Sequence, residues 1–261
     1  MTIQILMSTM NRQSIDELHL FERNIDGNIL IINQTDNEDV YVDETHHIKM
    51  INMLGVGTSR SRNCAIDNAS GDICIIADDD ISHVSDYQQI VLSAFETNPS
   101  ADIITFQIIT PNGVPFKSNY MTSERWHNLR TVLKGSSIEI AFRRQSVINA
   151  GLRINSEFGL GSRYRIHDDV IFLADALKAG LKVKYIPVPL VVHPAESSGT
   201  MYNDLLISSK GAAFSQIYGW FGYFVNLAYA VKKHNVYRDK YSFRELICKI
   251  TRGSYEYCKT H

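Results

Sequence analysis

ICIIADDDIS, residues 73–82, is the stretch whose reading decides the fold. Four apolar residues and Ala77 form a continuous run, the pattern of a strand covered on both faces. Three aspartates, Asp78, Asp79 and Asp80, follow at once. Adjacent carboxylates repel, so the arrangement costs stability unless something cationic meets them. Two readings stand side by side. One is a solvated acidic loop that leads into the next helix. The other is a divalent-metal site, in which hard Mg²⁺ or Mn²⁺ bridges carboxylates to the phosphates of a bound ligand.

The 261-residue chain is long enough for one large domain or a domain with an appendage, and at 44% hydrophobic and 21% charged it supports a sizeable core. A formal charge of -2 argues against a nucleic-acid binder that works by neutralising phosphates. Cys64, Cys74, Cys248 and Cys258 form no CxxC pair, so neither a zinc site nor a disulfide framework is indicated. A reducing cytoplasm is the simplest setting. MTIQILMSTMNR at the N-terminus lacks the apolar stretch of a signal peptide and reads as a first strand.

Outward from the aspartates, strand-like runs occupy residues 3–8, 28–33, 48–53, 102–109, 138–142 and 183–192. Ser85 is placed to cap a helix with Ile90, Val91, Ala94 and Phe95 on one face. A second helix runs from Asp168 to Ala179, with Val170, Leu173, Ala174 and Leu177 inward and Gly180 as its stop. Strands alternating with helices predict an α/β fold: a mixed, mainly parallel sheet covered on both faces. Ligands of such sheets bind beyond the carboxyl ends of the strands, where Asp78 to Asp80 stand.

Upstream, GVGTSRSRNCAIDNASGD (55–72) lacks the GxxxxGK[ST] spacing of a P-loop, and Arg60 occupies the last glycine position of a G-x-G-x-x-G dinucleotide pattern. A dehydrogenase reading is therefore weak. Arg60 and Arg62 offer guanidinium groups that can face a phosphate or stack on a base; each can equally lie on a solvated helix face.

GTSRSRNCAIDNASGDICIIADDD (57–80) resembles the donor-site segment of family 2 glycosyltransferases, in which an RN-containing helix precedes a strand that ends in D-x-D. The resemblance continues through SSIEIAFRRQSVINAGLRINSEFGLGSRYRIHDDVIFLADALKAGLKVKYIPVPLVVHP (136–194), which looks like the family's acceptor half: an FG-x-G turn, an acidic pair opening a helix, and a strand leading to histidine. The pair here is Asp168-Asp169 rather than the commoner Glu-Asp. The resemblance implies a GT-A (Rossmann-like) domain over 1–200 with a helical extension over 201–261, and a metal-dependent inverting enzyme of the bacterial polysaccharide type. It implies a nucleotide-diphosphate-sugar donor, UDP-sugar favoured, and a glycan or lipid-linked glycan acceptor.

Carried over residue by residue, Asp169 is the expected general base and Asp168 an orienting or acceptor-binding carboxylate; the alternative for Asp169 is a first-turn acid favoured by the helix dipole. Thr9, Asn11, Asp36, Arg60, Arg62, Asp78, Asp79, Gly159 and Gly161 are expected around the nucleotide sugar, with Arg62 preferred to Arg60. Asp80, Asp78 and His193 are the expected ligands of Mn²⁺ or Mg²⁺, Asp80 first. A sugar-phosphate nucleotidyltransferase is a further reading, but its GVGTSR-like signature belongs after the first strand, where this chain has MSTMNR. A non-catalytic nucleotide- or glycan-binding subunit of a polysaccharide assembly complex is another.

Two segments stand apart. The loop 111–135, with Arg125 and Trp126, is either a set of acceptor contacts or an ordinary connection. Residues 211–231 carry no charged side chain and end against Lys232 and Lys233. Phe214, Ile217, Phe221, Phe224, Val225 and Ala228 make a helical stripe that either packs on the core or lies in a membrane interface. The latter would place a cytoplasmic protein peripherally on the inner face of a membrane.

Overall fold

The structure, a computed structural model, describes residues 1–194 and 203–261; the expected domain boundary at 200 lies outside the described residues. The first half of the fold is a parallel unit. Strands β1 (Ile3–Met10), β2 (Asn28–Thr35), β4 (Ile48–Leu54) and β5 (Ile73–Asp78) run parallel, with β3 (Val40–Asp43) antiparallel at the edge of β4. Helix α1 (Thr58–Asn68) carries the chain from β4 back across to β5. The second half mixes directions. It comprises β6 (Ser82–His83), α2 (Tyr87–Thr97), β7 (Ile103–Ile109), β8 (Arg125–Trp126), β9 (Ile140–Arg143), α3 (Arg144–Asn149), α4 (Asp168–Lys178) and β10 (Val183–Val192). The ten strands among the described residues join one sheet in the order β3-β4-β2-β1-β5-β9-β7-β10-β6, with β8 paired to β10.

The strand order places the site. From β1 the chain pairs β2 on one side, then returns through α1 to pair β5 on the other. The crevice beyond the carboxyl ends of β1 and β5 is therefore a topological switch point. Ser8 stands in register with Asp78, so Thr9 and the aspartates meet there. The period of two along β5 explains its unbroken apolar run. Ile73, Ile75 and Ala77 pack with Tyr87, Val91 and Phe95 of α2, whereas Cys74 and Ile76 pack with Ala65 and Ile66 of α1.

Three local readings change. The helix expected from Ser85 starts at Tyr87, with Asp86 at the cap position and no side-chain cap. Pairing of β6 with β10, extended by the Val84 N–H to the Leu190 carbonyl, keeps the chain extended to Val84, and Ser85 and Asp86 form the turn that leads into the helix. The strand expected from 138 starts at Ile140, because Ser136 and Glu139 close a capping box around a 3₁₀ turn at Ser137–Glu139. The run 211–231 is two helices, α5 (Asp204–Tyr218) and α6 (Gly222–Tyr237), since Gly219 reverses the chain at φ 60°. Leu177 is half-buried against the core, and Gly180 ends α4 at φ 84°.

Helix α7 (Phe243–Thr260) crosses α5 at backbone contact. A Cβ on Gly211 would lie 1.8 Å from the Ile250 carbonyl oxygen, and one on Gly253 would lie 1.9 Å from that of Ser208. Through Ala212, Ala213, Ile217 and Tyr257 these helices share the core that lies over α4. Among the described residues no helix is long and apolar enough to cross a membrane.

Candidate active site

Each of the three aspartates meets a different basic side chain, two of them arginines. Asp78 Oδ1 accepts from Arg62 Nη2 at 2.7 Å, and Asp79 Oδ2 accepts from Arg12 Nη2 at 2.9 Å. Thr9 Oγ1 also donates to Asp79 Oδ2, and Arg23 donates to the Asp79 carbonyl. Asp80 is the most open of the three, with its side chain 68% exposed and Oδ2 3.6 Å from His193 Nε2. The charges of Asp78 and Asp79 are thus relieved by two arginines brought from separate parts of the chain, and Asp80 is left beside His193.

Arg62 is only 7% exposed and ties the two halves of the site together. Besides Asp78 it donates from Nη1 to Asp168 Oδ2 at 2.7 Å and from Nη2 to Ser137 Oγ at 2.9 Å. Burial works against its charge, but Asp78 and Asp168 hold the guanidinium pKa above its ordinary value. Both terminal nitrogens of Arg62 are thus engaged by protein groups. Arg60 is exposed on the first turn of α1, beside Gly55 and Gly57.

The acidic pair opens α4 and divides into two environments. Asp168 is buried against Arg62, with Ser59 Oγ at 3.4 Å. Asp169 keeps partial exposure; Oδ2 accepts the Ser137 N–H at 3.2 Å and Oδ1 the Val170 N–H at 2.7 Å. Burial, then the adjacent Asp168 charge, push the Asp169 carboxyl up to about 6. A carboxylate poised there can take a proton near neutral pH.

The glycine turn serves close packing. Gly159 sits at φ 101°, and a Cβ on it would lie 2.7 Å from both Ser59 Oγ and Thr58 Oγ1. A Cβ on Gly161 would reach the Gly57 backbone at 3.1 Å, while the Leu160 carbonyl accepts the Thr58 N–H at 3.0 Å. This seats the 158–161 turn on the N-terminus of α1, beside Asp168. Asn11, at φ 54°, donates its N–H to the Gln34 carbonyl on the exposed rim, and Asp36 is exposed beyond β2.

Asp80 and His193 fit part of a divalent-metal site. The His193 backbone N–H donates to the Ile109 carbonyl, its ring meets Phe116 edge-on, and Nδ1 lies 2.6 Å from the Pro194 carbonyl oxygen. A proton on Nδ1 leaves Nε2 as the ligating nitrogen toward Asp80. Among the described residues no group of three or more His, Cys, Asp or Glu side chains forms a metal cage. Magnesium-type sites held by one or two protein groups are completed by phosphate oxygens and water, so an incomplete protein set is compatible with a cation that arrives with a diphosphate.

Several contributors are not apparent from local motifs. Arg12 and Arg23 secure Asp79 from the segment after β1. Glu139, 2% exposed, anchors the 111–135 loop by accepting from Lys117 Nζ at 2.8 Å and from the Tyr120 hydroxyl. From α5, Lys210 reaches Nζ to within 3.4 Å of His167 Nε2, immediately before the acidic pair. Burial, with the Lys233 charge adding to it, presses the Lys210 ammonium down to about 8. Burial and Lys210 hold the His167 imidazole well below its usual range.

No curated protein matches the sequence. The fold matches the crystal structure of S. aureus TarS 1-349 in complex with UDP-GlcNAc with a TM-score of 0.66 at 13% identity, covering 98% of this chain and 80% of that one. It matches TarS 1-349 in complex with UDP at TM-score 0.61 and 13% identity, covering 100% and 83%. Against the longer S. aureus TarS structure the TM-score is 0.63 at 13% identity, with 94% of this chain covered but 46% of TarS. At such identities the likeness establishes the GT-A fold. The sequence model of glycosyl transferase family 2 matches residues 28–163, just over half of the chain and including Arg62, the three aspartates and the glycine turn. The chain belongs to glycosyl transferase family 2.

Proposed function

We propose that the protein moves a sugar from a nucleotide-diphosphate-sugar donor to a hydroxyl of a glycan or lipid-linked glycan, with inversion and with Mn²⁺ or Mg²⁺ assistance, in bacterial polysaccharide synthesis. Residues 1–194 form the transferase domain and 203–261 a helical extension packed against it. The observation that carries the reading is the divided carboxylate pair. Asp168 is neutralised by Arg62, whereas Asp169 keeps partial exposure with its pKa raised to about 6. The UDP-GlcNAc and UDP in the TarS structures support a uridine nucleotide.

Asp169 accepts the acceptor's hydroxyl proton as that oxygen attacks the anomeric carbon. The new C–O bond forms as the bond to the diphosphate breaks, and the electron pair leaves with the nucleoside diphosphate. Attack from the face opposite the leaving group inverts the centre, and one carboxylate base suffices for this route. A divalent cation held by Asp80 and His193 would supply Lewis-acid stabilisation of diphosphate charge. Arg62 and Ser137 fix the pair: Arg62 occupies Asp168, and the Ser137 N–H orients Asp169.

The test is release of nucleoside diphosphate from a panel of nucleotide sugars with hydroxyl acceptors, with Mn²⁺ or with EDTA. Proton NMR reads the anomer formed. A metal-dependent, inverted product that Asp169→Asn abolishes is expected. A retained configuration, or turnover undiminished by EDTA, would overturn the corresponding part.

A further inference from the structure

We propose that the exposed face of α6 docks the protein onto an anionic lipid surface. The proposal stands apart from the chemistry above and can fail without it. Trp220 (64% exposed), Phe224 (62%), Leu227 (49%) and Val231 (63%) follow one another at helical spacing along one face, with Phe221 (55%) beside them. Trp220 stacks on Phe221 at 3.9 Å between centroids and meets Phe224 edge-on at 5.9 Å. The three rings thus form one preformed apolar knob. Single exposed apolar side chains are ordinary on a protein surface, but a contiguous stripe of five marks a contact surface.

The stripe is held outward by what lies behind it. Asn226 and Ala230 of α6 are buried, and Asn226 Nδ2 donates to Ser254 Oγ of α7 at 2.7 Å. On an intermediate position of the same helix, the Tyr229 ring lies under Lys210 Nζ at 5.8 Å, and Lys210 reaches His167 beside the acidic pair. Lys210 of α5 therefore links the docking helix to the start of α4.

Charge identifies the occupant. Residues 203–261 hold nine lysines and arginines against four aspartates and glutamates, an excess of five, in a chain whose overall charge is -2. Lys232 and Lys233, both exposed, follow the last residue of the stripe and make no ion pair among the described residues. A second copy docked through this face would bring two such positive regions together, which opposes self-association. An anionic lipid surface meets both features: it attracts the basic residues, and its headgroup boundary accommodates tryptophan and phenylalanine. Since no described helix is able to cross a membrane, α6 would lie in the plane of the surface.

The chain has two tryptophans, Trp126 and Trp220, so Trp126→Phe in the 261-residue chain leaves Trp220 as sole reporter. Vesicles of phosphatidylcholine mixed with phosphatidylglycerol should shift its emission to the blue and co-sediment the protein. Phosphatidylcholine alone, or high salt, should do so far less. Phe224→Asp with Leu227→Asp should lower partitioning by on the order of tenfold or more, without moving the melting temperature, because both side chains are exposed. Lys232→Glu with Lys233→Glu should weaken binding to the mixed vesicles. The proposal is overturned if Trp220 emission does not move with the mixed vesicles, if either double variant binds as the parent does, or if the stripe instead mediates a dimer that sediments without lipid.

Discussion

Arg62 donates to Asp168 at 2.7 Å across 106 residues of sequence, and its other terminal nitrogen holds Asp78 at the same distance. One buried guanidinium thus joins the end of β5 to the start of α4. Arg62→Met should therefore act on stability first. Removing one partner of a buried ion pair costs about 3–5 kcal/mol, because the remaining charge is left uncompensated. The urea midpoint should fall at unchanged m-value. Arg62→Lys should recover only part, since a point charge lacks the fork that serves both carboxylates. Unchanged urea stability with lost donor affinity would instead support the nucleotide role expected from sequence.

Asp169 should govern the pH profile. With its folded pKa raised to about 6, transfer should rise with pH through that value and then level, as the base form fills. The stability effect has the opposite slope. The folded protein binds more protons than the unfolded chain between the ordinary aspartate pKa and about 6, so this group's stabilisation is present at the acid end and lost as pH rises through about 6. Asp169→Asn should remove that slope and lower kcat by roughly 10²–10⁴, with donor affinity kept. Asp168→Asn should cost less turnover and more stability. An Asp168→Asn enzyme that is the slower of the two would reverse the assignment.

Metal-dependent donor binding should separate the three aspartates. Asp80→Asn and His193→Ala should each weaken Mn²⁺-dependent binding of a nucleoside diphosphate in calorimetry. Asp79→Asn should chiefly lower the melting temperature, since its carboxylate is engaged by Arg12 and Thr9. Equal Mn²⁺-dependent affinity in the Asp80 and parent proteins counts against the metal site.

Gly159→Ala should destabilise although it adds a single carbon. Left-handed backbone costs a non-glycine residue about 1–2 kcal/mol, and the added Cβ would press on Ser59 Oγ and Thr58 Oγ1 at 2.7 Å. Thermal unfolding reads the loss, and a melting temperature equal to the parent's would show that the 158–161 turn relaxes freely. Gly113→Ala is the comparison: also at positive φ, it meets nothing within 4 Å, so only the backbone cost remains.

What the sequence determined by itself was local. The unbroken apolar run of β5, the helical period of α4 and the glycine at 180 are legible because each depends on neighbours within a few residues. The three aspartates also posed a choice between a solvated acidic loop and a site that a cation completes. What meets them was a tertiary matter: Arg12, Arg62 and His193 come from after β1, from α1 and from the end of β10, and only the strand order makes them neighbours. The same holds for the apolar run 211–231. Its composition is uniform, but the turn at Gly219 sends Phe214 and Ile217 into the core and leaves Phe221 and Phe224 in solvent. Hydrophobicity says that a surface will be covered; what covers it is decided by where the chain turns.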